Sequence, residues 1–338
     1  MGCCHSAGNR QELQPKPQYS WDAREKPDPT KYIISGIEGG VVGRTPGEIK
    51  GEQFLIQNCK NCTILLFDHS ATVTIDDCVD CVIFVGPCKG SVFVRDSTGC
   101  WCVAAAQQFR VRGCHHCKIQ LICPTQPIIE SSSDVAFGCF QCSYPQLQEQ
   151  FKSADLSLYC NQWSQIHDFT TGTENCNWTL LPLETLAPVN VPEGDRLAGV
   201  GALYSPNSSI VPLTTGPRQK PSGEVCLVSF FEVDKAEESV LQFVQQLRQQ
   251  QPSLVLVQSA EVTLKKEDIM RLFADDTTLL SKALKGRCVL LEVCGEGAVR
   301  VCRRLGAGSD TYISPTPPQG ESDVKTFENY MAMRLTMQ

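Results

Sequence analysis

The sequence predicts a mixed fold: a parallel β-helix over residues 31–180, then an α/β domain over 225–338. Three observations carry this. Cysteine-bearing segments recur at a near-constant period from about residue 36 to 150. Short apolar runs inside each repeat alternate with period two, which means strand. Beyond residue 224 the pattern changes to strand-like runs separated by helix-like ones.

The first thirty residues read as a flexible tail. Met1-Gly2-Cys3-Cys4-His5-Ser6 carries Gly at position 2 and Ser at position 6, the pattern for N-myristoylation. One myristoyl chain holds a bilayer only weakly, with an association constant of about 10⁴ M⁻¹, so stable anchoring needs a second signal. Basic residues in the tail are interleaved with acidic ones, which leaves palmitoylation of Cys3 or Cys4 as that signal. No run of apolar residues is long enough to span a membrane, and no secretory signal is recognisable. The expected surroundings are therefore reducing, so the 20 cysteines are not expected to form a disulfide scaffold. The net charge of −7 disfavours a nucleic-acid partner.

Ile56-Gln57-Asn58-Cys59-x-x-Cys62 aligns with Ile75-Asp76-Asp77-Cys78-x-x-Cys81 and with Val94-Arg95-Asp96-Ser97-x-x-Cys100. Val111-Arg112-Gly113-Cys114-x-x-Cys117 and Ile129-Glu130-Ser131-Ser132-x-x-Val135 continue the series. Successive repeats start 19, 19, 17 and 18 residues apart, the mark of a solenoid. Three strands of about six residues would complete one coil, and stacked coils bury a column of side chains at each repeat position. Cysteine is small enough for such a column. A zinc ribbon is the alternative, since Cys59-x2-Cys62-x15-Cys78-x2-Cys81 has its spacing. The packing ladder is preferred because Ser97, Ser132 and Val135 replace cysteine without ending the repeat. No metal is expected.

The fourth repeat contains Gln107-Gln108-Phe109-Arg110-Val111-Arg112. If Phe109 and Val111 point inward, Gln108, Arg110 and Arg112 point outward, because strand side chains alternate. Two arginines and an amide then stand on one rigid face, where position is fixed in advance.

Residues 181–224 are rich in Pro, Gly, Ser and Thr and read as a linker with some packing onto the first domain. Further on, Cys226–Phe231, Leu254–Val257 and Val289–Val293 read as strands. Val240, Phe243, Val244 and Leu247 share one helix face, and Ile269–Phe273 and Ala298–Leu305 are further helices. This alternation suggests helices on one side of a sheet. The segment loosely resembles the nucleoside diphosphate kinase fold, with its ferredoxin-like α/β sheet. That family's reaction passes through a phosphohistidine. The five histidines here are His5, His69, His115, His116 and His167, none of them in this domain, so kinase activity is not expected.

Gln107-Gln108-Phe109-Arg110 inside a cysteine-rich β-helix resembles the tubulin-folding-cofactor-C domain family. Gly2-Cys3, Tyr19–Asp22, Phe67–Cys78 and Thr125–Ser133 extend the likeness over nearly the whole chain, most strongly from 19 to 180. The resemblance implies that the solenoid is a right-handed parallel β-helix. It also implies activation of GTP hydrolysis on an Arf-like small GTPase, notably the third Arf-like GTPase, in its GTP form. Arg110 matches the family's arginine finger and Gln108 its nucleotide-site amide. Arg112, Glu130 and Phe169 match positions of structure or partner contact, and Gln107 and Asp168 are further partner-binding candidates; the alternative for Phe169 is a core aromatic that caps the β-helix. The chain would then be an enzyme activator with no cofactor of its own, GTP and Mg²⁺ being carried by the partner. Its expected setting is the cytoplasmic face of the plasma membrane, including the cilium base, in trafficking of lipidated proteins. The alternative function is a non-catalytic effector or scaffold that binds the GTP-bound GTPase.

Overall fold

The computed structural model describes residues 28–170, 176–273, 277–307 and 311–336. The described residues from Tyr32 onward form one compact unit.

The first half is a stack of parallel strands. In chain order these are β1 (Ile33–Ser35), β2 (Val41–Arg44), β3 (Phe54–Gln57), β4 (Thr63–Leu66) and β5 (Val73–Asp76). Two long strands follow, β6 (Val82–Arg95) and β7 (Trp101–Arg112), then β8 (His115–Ile122), β9 (Ile128–Glu130) and β10 (Ser133–Cys139). Helix α1 (Leu147–Ser153) precedes the short strands β11 (His167–Asp168) and β12 (Trp178–Leu180). One side of the stack runs β1-β3-β5-β6-β7-β9-β11 and the other β2-β4-β6-β7-β8-β10-β12, every pairing parallel. This is the expected β-helix.

The corners between the two sides explain the repeat. Each pairs two left-handed residues three apart: Asn58 and Asn61, Asp77 and Asp80, Asp96 and Gly99, Gly113 and His116, Ser131 and Asp134. Gly, Asn and Asp visit this conformation most readily, so they recur there. A cysteine follows most of these corner residues and turns inward. Its thiol donates to the carbonyl two residues back, as Cys59 does to Gln57 (3.3 Å), Cys78 to Asp76 (3.4 Å) and Cys114 to Arg112 (3.4 Å). Ser97 and Ser132 make the same bond from their hydroxyls, each at 2.8 Å to Arg95 and Glu130. Serine therefore substitutes because it keeps both the size and the hydrogen bond. All 18 described cysteines are free, and among the described residues no group of three or more His, Cys, Asp or Glu is placed to hold a metal ion. Burial pushes the Cys102 thiol up to about 12 and those of Cys123 and Cys139 up to about 11, which keeps them protonated and unreactive at neutral pH.

The coil differs from the expectation of three equal strands. β6 and β7 run continuously around the third corner, with register shifts at Val85/Cys88 and Cys88/Ser91. A glycine makes the bend possible: a Cβ at Gly86 would lie 2.6 Å from the carbonyl oxygen of Asp68.

The second half is a four-stranded antiparallel sheet. Its elements are β13 (Val225–Phe230), α2 (Val233–Gln250), β14 (Val255–Val262), α3 (Lys266–Leu272) and α4 (Thr277–Ala283). β15 (Cys288–Cys294), α5 (Ala298–Leu305), β16 (Thr311–Ile313) and α6 (Pro317–Thr336) complete it. The order β14-β15-β13-β16, with every neighbour antiparallel, is the ferredoxin-like arrangement. Helices cover both faces rather than one. α2 and α5 pack on Cys226, Val228 and Phe230, whereas α3 and α6 pack on Val225 and Leu227. The structure adds three elements to those expected from the sequence, α4, β16 and α6, the last of which opens with Pro317-Pro318-Gln319-Gly320. Proline fits the first helical turn, where its missing N–H is not needed.

The segment before β13 is fastened at several points. Thr215 and Gly216 donate from their backbone N–H groups to Leu256 and Val257 of β14. Thr214 accepts from the Trp163 indole at 2.9 Å. Lys220 forms a 2.6 Å ion pair with the buried Glu292.

Candidate functional site

On β7 the burial alternates as its sequence demands. Phe109 and Val111 are buried in the solenoid core, while Gln108, Arg110 and Arg112 are exposed. Parallel neighbours set what flanks them, about 4.8 Å away on each side. Arg110 stands between Phe93 and Ile128, and Arg112 between Arg95 and Glu130. Arg95 is engaged in a two-pronged bond to Asp76, at 2.7 and 2.6 Å, which holds its guanidinium charged. The next residue outward along the Arg112 row, beyond Glu130, is Phe169, whose N–H donates to Ile129 at 2.9 Å.

Gln108 has a visible role. Its Oε1 accepts from Arg110 Nη2 and from Ser91 Oγ, each at 3.3 Å. The amide thus bridges two coils and rests the guanidinium against the sheet. Gln107 stands at the bend before this row, half-buried, and its carbonyl accepts from Thr125 Oγ1 at 2.9 Å. It is not in line with the arginines. Asp168 is half-buried and turned to its own loop: its carboxylate accepts from Thr170 N at 2.8 Å and Asn177 Nδ2 at 2.9 Å. What it orders is Phe169, which is 60% exposed with its ring edge-on to His167, 4.5 Å between centroids. An apolar ring so exposed is not a cap on the solenoid core. Gly2, Cys3 and Cys4 lie outside the described residues.

A cleft of about 200 Å³ opens beside the arginine, lined by Gln108, Arg110, Gln126, Ile128, His167 and Leu335. His167 pairs in register with Ile128, so it belongs to the same column as Arg110. Its place here could not be read from sequence, because β11 is only two residues long. Leu335 is the larger surprise, coming from the last turn of α6 far along the chain. The arrangement can present a fixed cation, steadied by an amide, to an anionic group on a partner.

The sequence profile of tubulin binding cofactor C matches residues 51–169, which contain β7 and the cleft's solenoid wall. Over 350 aligned positions the chain is 43% identical to Protein XRP2 of Homo sapiens, covering 99% of each. It belongs to the XRP2 family. Protein XRP2 of Danio rerio is 41% identical over 335 positions, covering 97% of this chain and 88% of the relative. Tubulin-specific chaperone C of Homo sapiens is 28% identical over 154 positions, 45% of this chain and 44% of that one. The likeness to XRP2 therefore extends through the ferredoxin-like half, whereas the likeness to the chaperone covers less than half of either chain. Among the described residues no helix is long and apolar enough to cross a membrane.

Proposed function

We propose that this protein activates GTP hydrolysis on an Arf-like small GTPase, the third Arf-like GTPase being the first candidate, by inserting Arg110 in trans. The observation that carries the reading is the Arg110–Gln108 pair, exposed on a strand whose alternate residues are locked in the solenoid core. Phosphoryl transfer is catalysed mainly by positioning and by charge set against the transferring group, and an arginine supplied by a partner contributes on the order of 10³–10⁵ in rate. Arginine suits the task because its planar fork is always charged and donates several hydrogen bonds at once. A finger on a parallel strand loses little freedom when it docks. Gln108 presets its direction, and Arg112, Glu130 and Phe169 surround it as partner contacts. GTP and Mg²⁺ belong to the GTPase.

Acylation at Gly2 and at Cys3 or Cys4 would hold the protein on the cytoplasmic face of the plasma membrane, including the cilium base. There it would act in the trafficking of lipidated proteins.

Single-turnover hydrolysis by the third Arf-like GTPase tests the reading, run alone, with this protein and with Arg110→Ala. Acceleration by the wild type that vanishes in a folded, GTPase-binding variant supports it. Tight binding of the GTP form without acceleration would make the protein an effector or scaffold instead.

A further inference from the structure

Helix α6 connects the two halves of the molecule. Its middle is buried on the ferredoxin-like sheet through Val324, Phe327 and Met331, and Glu328 pairs with Lys220 at 3.0 Å. Twenty residues of helix span about 30 Å. The far end consequently leaves the sheet, and Leu335, half-buried, becomes one wall of the cleft beside Arg110. Gln108 and Arg110 remain exposed with the helix in place, so α6 borders the arginine without covering it.

We propose that the last turn of α6 is part of the surface that receives the GTP-bound GTPase, with Leu335 as an apolar contact at the edge of the arginine site. This rests on the reading that the Arg110 face docks the GTPase. Around the arginines stand Ile128, Phe169 and Leu335, apolar groups from a solenoid strand, a loop and the last helix. Apolar side chains surrounding a central charged contact exclude water from it, and this is how the strong residues of interfaces are arranged. Charge agrees with the occupant: Arg110 would face an anionic phosphate, while the apolar rim and the Arg112–Glu130 pair of neighbours meet the protein around the nucleotide. The ferredoxin-like half thereby has a use that needs no histidine. It holds one edge of the docking surface in place.

The test uses the full chain and the third Arf-like GTPase bound to GTP or to a non-hydrolysable analogue. Leu335→Asp is compared with Leu335→Gln and with the conservative Leu335→Met, each checked for wild-type melting. The two polar variants are expected to raise Kd and KM about tenfold, a loss of the size that one interface side chain gives, with kcat at saturation nearly unchanged. Leu335→Met should stay near wild type. Unchanged Kd and KM in a folded polar variant, beside a wild type that accelerates hydrolysis, overturns the α6 contact and leaves the arginine finger standing. If the wild type binds without accelerating, catalysis fails while a raised Kd still supports the contact. A wild type that does not bind overturns both.

Discussion

The two outer faces of the β-helix are built by the same rule and end differently. On the β3-β5-β7-β9 side, outward positions carry Asp76, Arg95, Arg110, Arg112 and Glu130 at the surface. On the β4-β6-β8-β10 side, outward positions carry Leu65, Phe84, Val103 and Ile122, all buried in a second core shared with α1, α2 and α5. The strands announce the difference. Thr63-Ile64-Leu65-Leu66-Phe67 is almost continuously apolar, as strands covered on both faces are, whereas Gln108-Phe109-Arg110-Val111-Arg112 alternates strictly. One face is spent on holding the second half of the chain, which leaves the other free to meet a partner.

Exchanging damage between these faces tests that division. Arg110→Ala should lower single-turnover acceleration by about 10³ or more, with melting unchanged because the side chain is exposed. A fall in melting temperature of several degrees would mean the arginine is structural. Phe84→Ala should do the opposite. Phe84 touches the rings of Phe67, Phe140, Tyr144 and Tyr204, with centroids 5.1–6.3 Å away. Truncating a buried phenylalanine costs about 3–5 kcal/mol, read by urea denaturation, while the folded fraction keeps its rate. Gly99→Ala probes a corner between the faces. Gly99 has φ +69°, and an added Cβ would sit 2.1 Å from Asp80 Oδ1. A loss of roughly 1–2 kcal/mol is expected from the backbone alone, and no loss would show that the corner relaxes. Smaller still is Cys78→Ser, about 1 kcal/mol or less, since serine at 97 and 132 already makes the ladder's hydrogen bond at net values of that order. Exhaustive chelation should not move the melting temperature at all; a drop that zinc restores would replace the packing ladder with a metal site.

Much of this was legible in the chain. The period of the cysteine segments is a property of the sequence, and a constant period admits few architectures. Alternation through Phe109 and Val111 puts Arg110 and Arg112 on one face, because strand geometry is local. Most strands and helices from Cys226 to Leu305 were legible for the same reason; the exception is the short α4, Thr277–Ala283.

What the sequence could not reach was everything set by the meeting of distant segments. α6 begins with prolines and a glycine, so its start looks like a turn and its last turn carried no signal of function. Whether Phe169 was core or surface depended on where its loop closes, which hydrogen bonds from Asp168 to Thr170 and Asn177 decide. His167 entered the Arg110 column only through a two-residue pairing with β9. The sequence by itself determined the solenoid, its corners and the arginine row, since these follow from spacings within one repeat. Only the tertiary structure decided which outer face is covered, and that a leucine more than two hundred residues away completes the cleft beside the arginine. Contacts between remote parts of a chain depend on how whole elements pack, and no local pattern encodes that.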